Sequence, residues 1–189
     1  YLLTPVGSSG DVHPFVGIGR ELKVRGHEVF LFAAEPHRGV VEGNGLAFVA
    51  TASTDEYHGA TRNPDLWHPR KGIETVLRMI LPSLESSRKA LEERYQPGNT
   101  MLVGHPLGFA ARTFEEQVGV PAATIHLAPS SLRSAYKVPA LPGGTDISAL
   151  PLWLKRALWV LIDKGGLDPI IVPALNEWRA TLGLPPVSR

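Results

Sequence analysis

Tyr1-Leu2-Leu3-Thr4-Pro5-Val6-Gly7-Ser8-Ser9-Gly10-Asp11-Val12-His13-Pro14-Phe15 opens the chain, and Val29-Phe30-Leu31-Phe32-Ala33 follows as its next apolar run. The first run is short, apolar and stopped by Pro5 and a Gly/Ser turn, the pattern of a buried strand. Gly7 to Asp11 reads as a tight loop, and Pro14 marks a first helical turn. Phe15, Ile18, Gly19 and Leu22 recur at i, i+3, i+4 and i+7, so they share one helical face. Lys23 and Arg25 fall in the last turn of that helix, and Gly26 suits the left-handed residue that ends it. Val29 to Ala33, bounded by charge, reads as a second buried strand. Strand, helix and strand in this order predict a right-handed crossover between parallel strands.

The same alternation continues outward. Residues 37–43 predict a short helix, Leu46 to Ala50 a third strand, and the polar residues 51–70 a long surface loop of the kind that often carries function. Ile73, Val76, Leu77, Ile80, Leu84 and Leu91 keep helical spacing over 72–94, with a kink expected at Pro82. Thr100 to Val103 predicts a fourth strand that leaves through Gly104-His105-Pro106. Leu107, Ala110, Ala111, Phe114 and Val118 mark a helix face closed by Gly119, and Pro121 to Ile125 a fifth strand. Residues 127–149 read as a Pro/Ser/Gly-rich loop, and helices are expected over about 151–164 and 169–182. The expected fold class is α/β, a Rossmann-like doubly wound parallel sheet.

Composition narrows the function classes. The 189 residues carry 19 Lys and Arg against 18 Asp and Glu, a net charge of +1 with the signs interspersed. No basic arm argues for nucleic acid as a partner. Cysteine is absent, which removes thiol nucleophiles, disulfide frameworks and Cys-based zinc sites. No apolar run approaches the length of a membrane span. The chain is already in strand at Tyr1 with no signal peptide ahead of it, and it ends in the Pro-rich Leu184 to Arg189. A cytoplasmic piece of a longer protein is the expectation.

In an open parallel sheet, ligands bind beyond the carboxyl ends of the strands. That places Gly7–His13, Ala34–His37, Ala50–Thr54, Gly104–Pro106 and His126–Ser131 at the functional edge. Glycines 7 and 10 allow positive φ or close backbone approach, and a helix start behind them can hold a phosphate or a carboxylate. No Gly-Lys-Ser/Thr follows, so the loop is not a Walker loop, and Gly17 and Gly19 lie inside the helix rather than in a dinucleotide turn. Asp11 is either a helix cap or a general base. His13 is either a first-turn residue or an orienter of Asp11. His105 and His126 leave strands four and five, and no His spacing supports a metal site. His27, His37, His58 and His68 read as surface residues. Glu35 ends the second strand where a ribose-binding acid would stand in a dehydrogenase, which keeps a dinucleotide-dependent oxidoreductase as an alternative. Leu150 to Ile162 is very apolar with a small basic spot. It reads as a packed helix, a hydrophobic acceptor wall or a peripheral membrane contact.

The run Gly7-Ser8-Ser9-Gly10-Asp11-Val12-His13-Pro14, with Arg25-Gly26-His27-Glu28-Val29, resembles the opening of the GT-B glycosyltransferases. The similar branch holds macrolide, glycopeptide and sterol glycosyltransferases (the family 28 amino-terminal domain). Gly104-His105-Pro106-Leu107, Phe109-Ala110-Ala111 and Leu182-Gly183-Leu184-Pro185-Pro186 fit its amino-terminal half, while Ser9 stands where that branch often has Arg. The resemblance implies that residues 1–189 are the acceptor-binding half, with a nucleotide-sugar-binding domain absent from this chain. It implies inverting hexosyl transfer from a UDP- or dTDP-sugar to a hydroxyl of a small-molecule, sterol or lipid acceptor, with no metal and no cofactor. It implies Asp11 as general base, acceptor contacts at Ser8, His13, His105, Phe109 and His126, and donor-phosphate contacts near Gly7, Ser9 and Gly10. The fragment alone is expected to be inactive. A non-catalytic lipid- or aglycone-binding module remains the other alternative.

Overall fold

The structure, a computed structural model, describes residues 1–68, 71–128, 132, 134–136 and 146–188. The chain forms two compact units, Tyr1–Arg62 with Pro82–Leu127, and Asn63–Leu81 with Ala128–Arg189. In the first unit, β1 (Leu2–Thr4), β2 (Phe30–Ala34), β3 (Ala47–Ala52), β4 (Leu102–Gly104) and β5 (Ala122–Thr124) form one sheet. Its order is β3-β2-β1-β4-β5 and every pairing is parallel. The doubly wound α/β sheet expected from the sequence is therefore present.

Successive residues of each strand feed opposite faces, as strand geometry requires. Leu3, Leu31, Ala33 and Val103 pack with Val12, Phe15 and Val16 of α1 (Ser9–Val24) and Val41 of α2 (Arg38–Gly43). Leu2, Phe32, Val49 and Leu102 pack on the other face, with Leu91 of α5 (Leu84–Glu92) and Ala111 and Phe114 of α6 (Phe109–Val118). Both faces are thus covered by helices, which is why the strands read as continuous apolar runs.

Helix α1 begins earlier than Pro14 suggested. Ser8 is its N-cap, so Ser9, Gly10 and Asp11 form the first turn instead of a loop, and Pro14 lies inside the helix. The amides of Asp11 and Val12 both donate to the Ser8 carbonyl, at 2.9 and 3.0 Å. At the other end, Gly26 has φ +86°. Its amide donates to Lys23 O at 2.9 Å and the His27 amide to Leu22 O at 3.2 Å, a paired closure of the last turn. Gly19 lets α1 approach the sheet, since a Cβ there would lie 2.7 Å from Leu46 Cδ1.

The long loop expected over residues 51–70 is largely helical. It contains α3 (Thr54–Thr61) and a 3₁₀ turn at Pro64–Trp67. Ser53 explains α3: its hydroxyl accepts the Glu56 amide at 3.2 Å while the Glu56 carboxylate takes the Ser53 amide at 2.7 Å. This reciprocal cap satisfies two orphan donors at once. Ser53→Ala is expected to cost about 1 kcal/mol, read as a melting temperature lower by about 2–4 °C. An unchanged melting temperature would show that α3 is held by packing alone.

Pro82 does break its helix, leaving α4 (Gly72–Ile80), a 3₁₀ turn at Leu81–Ser83 and then α5. The second unit holds α4, α7 (Leu152–Ile162) and α8 (Asp168–Thr181). There Asn176 clasps Val187 in both directions, at 2.9 and 2.8 Å, and Arg179 Nε donates to Pro185 O at 2.9 Å. Most of the loop expected over 127–149 lies outside the described residues.

Candidate functional site

The carboxyl ends of β1, β2, β4 and β5 bring one group of side chains together around the start of α1. Asp11 is its centre. One carboxylate oxygen, Oδ2, accepts the Ser8 amide at 2.8 Å and stands 3.4 Å from the Ser8 hydroxyl. The other, Oδ1, faces His105 Nε2 at 3.8 Å. Capping therefore occupies one oxygen and leaves the second for chemistry.

Gly7 makes that placement possible. Its φ is +137°, and a Cβ built there would lie 2.0 Å from Asp11 Oδ2. Gly10, by contrast, has no positive φ and meets nothing nearer than Ser8 Oγ at 3.8 Å. Its expected conformational role is absent, because it is an ordinary residue of the first helical turn.

His105 has a defined tautomer. The Leu107 amide donates to its Nδ1 at 3.2 Å, so the neutral ring carries its proton on Nε2, directed at Asp11. Burial lowers its pKa below 6.5, opposed in part by Asp11 and assisted by His126. His126 itself is exposed. Phe109 opens α6 and is half-buried, and His13 is exposed on the first turns of α1.

His37 corrects the sequence reading. It was expected on the surface with His27, His58 and His68, and those three are exposed, but His37 is only 4% exposed. A 3₁₀ turn, Glu35–His37, carries it under α1. Its Nε2 lies 3.4 Å from Ser9 Oγ, and its ring stands edge-on to Tyr57 of α3, 5.2 Å between centroids and 86° between planes. Burial lowers its pKa below 6.5, with the Ala34 carbonyl acting the other way and His13 adding to the lowering. The signal that could have found it is the helix at 54–61, which supplies the covering Tyr57.

These two lowered histidines set a pH dependence. Below pH 6.5 the unfolded chain binds protons that the folded chain refuses, so stability rises with pH across that window and falls as acid is added. The melting temperature is expected to drop as the pH falls below 6.5. His37→Gln and His105→Gln should each flatten the slope. A flat profile in the unsubstituted protein would contradict the burial of both rings.

The other candidates are placed as follows. Glu35 is engaged by Arg38 through two contacts, 2.5 and 3.0 Å, so its carboxylate is not presented toward a ribose. Among the described residues, no three His, Asp or Glu side chains converge as a metal site. In α7, Trp153 is 70% and Leu161 65% exposed, whereas Lys155 is buried and donates to Ser148 O at 2.6 Å. Among the described residues, no helix is long and apolar enough to cross a membrane.

Fold and site together define a doubly wound α/β domain with an acid–imidazole pair at the carboxyl edge of a parallel sheet. No family model matches the chain. It is 30% identical to O-mycaminosyltylonolide 6-deoxyallosyltransferase of Streptomyces fradiae, over 99% of this chain and 44% of that protein. It is 26% identical to a sterol 3-beta-glucosyltransferase of Debaryomyces hansenii, over 98% of this chain and 12% of that protein. The crystal structure of the Streptomyces sp. SF2575 glycosyltransferase SsfS6 with thymidine diphosphate superposes with a TM-score of 0.56 at 20% identity, covering 100% of this chain and 46% of that one. Its curated homologues are glycosyltransferases, and its five-strand parallel sheet flanked by helices matches the GT-B glycosyltransferase structures. The chain spans less than half the length of these relatives.

Proposed function

We propose that this chain is the acceptor-binding, amino-terminal half of an inverting GT-B glycosyltransferase. The enzyme transfers a hexose from a UDP- or dTDP-sugar to a hydroxyl of a hydrophobic small molecule, sterol or lipid. The observation that carries the reading is the divided carboxylate of Asp11, with Oδ2 held by the Ser8 amide and Oδ1 left toward His105. An alcohol is far too weak an acid to ionise near neutral pH, so its proton must leave as the new bond forms. Oδ1 takes that proton, the acceptor oxygen attacks the anomeric carbon, and the bond from that carbon to the diphosphate breaks. The nucleoside diphosphate leaves with the electron pair. His105 directs its Nε2–H at Oδ1 from 3.8 Å, beyond hydrogen-bonding distance, and takes no part in the proton transfer, since its Nδ1 is already occupied by the Leu107 amide.

Support for the acceptor class comes from two relatives, one named for O-mycaminosyltylonolide and one for a sterol. Support for the donor comes from the thymidine diphosphate bound to the SF2575 enzyme. Ser8, His13, Phe109 and His126 are the proposed acceptor contacts, and Gly7, Ser9 and Gly10 the proposed contacts to the donor phosphates.

The experiment is transfer from UDP- and dTDP-hexoses to a panel of macrolide and sterol alcohols. The full-length protein should turn over and the isolated 189 residues should not. Turnover by the isolated chain would overturn the half-site reading. Saturable NAD(H) binding without any sugar transfer would favour the oxidoreductase. Aglycone binding without turnover of any donor would favour a carrier.

A further inference from the structure

We propose that His37 is a positioning residue for Asp11, acting through Ser9. This inference rests on the reading of Asp11 as the base and adds to it a residue from the turn that follows β2. His37 is 4% exposed, whereas His13 and His126 are exposed and His105 is half-buried. The Nδ1 of His37 is buried with no hydrogen-bond partner, which leaves Nε2 as the ring's working edge. That edge is 3.4 Å from the hydroxyl of Ser9, the first residue of α1 and two residues before Asp11. Ser9 Oγ and Nε2 lie within hydrogen-bonding distance, and the tautomer of the ring decides which of the two donates.

The consequence is mechanical. The first turn of a helix is where its backbone frays most readily, because its amides have no intrahelical partners. Here that turn must hold a carboxylate oxygen against a substrate hydroxyl within a few tenths of an ångström. Ser8 pins the turn from Asp11 itself, which ties the turn only to its own residues. The Ser9–His37 contact ties it to β2 instead, through the 3₁₀ turn Glu35–His37. Tyr57, standing edge-on at 5.2 Å, keeps the imidazole from rotating away. A buried, packed ring is a firmer anchor than any exposed side chain could be.

The test is a mutant cycle in the full-length protein, with kcat, acceptor KM and melting temperature measured for each variant. His37→Phe keeps the ring and its packing on Tyr57 but removes Nε2. His37→Gln can still offer an amide oxygen to Ser9. Ser9→Ala removes the partner without touching the buried ring, so it reports even if a His37 variant fails to fold.

Positioning predicts that His37→Phe and Ser9→Ala each lower kcat by about tenfold or more with acceptor KM little changed. His37→Gln should recover most of that loss. Adding His37→Phe to Asp11→Asn should cost almost nothing further, because the residue acts only through the carboxylate. If the losses multiply, or if kcat stays within about twofold in both His37→Phe and Ser9→Ala, the proposal fails. If Asp11→Asn itself transfers at the normal rate, it is the base assignment that fails. That outcome is read from a different variant.

Discussion

Asp11→Asn in the full-length protein is expected to lower turnover by about 10²–10⁴, the usual worth of a general base. The asparagine is the same size, and its carbonyl oxygen can still accept the Ser8 amide that Oδ2 now holds at 2.8 Å. Asn caps helices about as well as Asp, so the melting temperature should hardly move. What it cannot do is take a proton. Acceptor affinity should shift far less than turnover. Asp11→Ala loses the cap as well, so it should add about 1 kcal/mol of lost stability to the same catalytic defect. Near-normal transfer by Asp11→Asn would remove Asp11 as the base and turn attention to His13.

Gly7→Ala should produce a comparable loss of turnover from a residue with no chemistry of its own. The new methyl would be built 2.0 Å from Asp11 Oδ2 at a backbone φ of +137°. One or the other must give way. Moving the carboxylate breaks both its hold on Ser8 and its approach to His105, and a displacement of about 1 Å at a reacting group can cost about 10²-fold in rate. The backbone strain adds about 1–3 kcal/mol to the stability cost. A cycle separates the two contributions. In an Asp11→Ala background the clash with the carboxylate disappears, leaving the φ strain and a 3.1 Å contact with the Cβ of residue 11, so Gly7→Ala should destabilise less there. Equal costs in both backgrounds would mean that the glycine serves the turn alone.

The order of strands and helices was legible because each run of apolar residues is bounded by a residue with one clear meaning. Gly26 and Gly119 end their helices at φ +86° and +68°, and Pro82 interrupts a third. Asp11 was legible as a site residue, though not as part of a helix. Pro14 invites a helix start at itself, and nothing in residue type alone shows that Ser8 has already capped one. Helix α3 was hidden for a similar reason. Ser53, Thr54, Asp55, His58 and Gly59 all favour turns when taken singly, and the Ser53–Glu56 pair outweighs them. His37 was hidden more deeply. Its burial depends on Tyr57, twenty residues on, and no local pattern carries that contact.

The place of β1 in the middle of the sheet has a consequence for how the protein is made. Leu2 pairs on one side with Phe30 and on the other with Leu102. A ribosome emits the first partner early and the second only after roughly 70 further residues, at about 5–20 residues per second. For several seconds the nascent chain therefore carries β1 with one bare, apolar edge, the kind of template on which strands from other chains add. The helix pair that covers this side, α5 and α6, is late as well. Codon usage between residues 35 and 101, and the chaperones that meet the emerging chain there, should bear on soluble yield more than changes at either end.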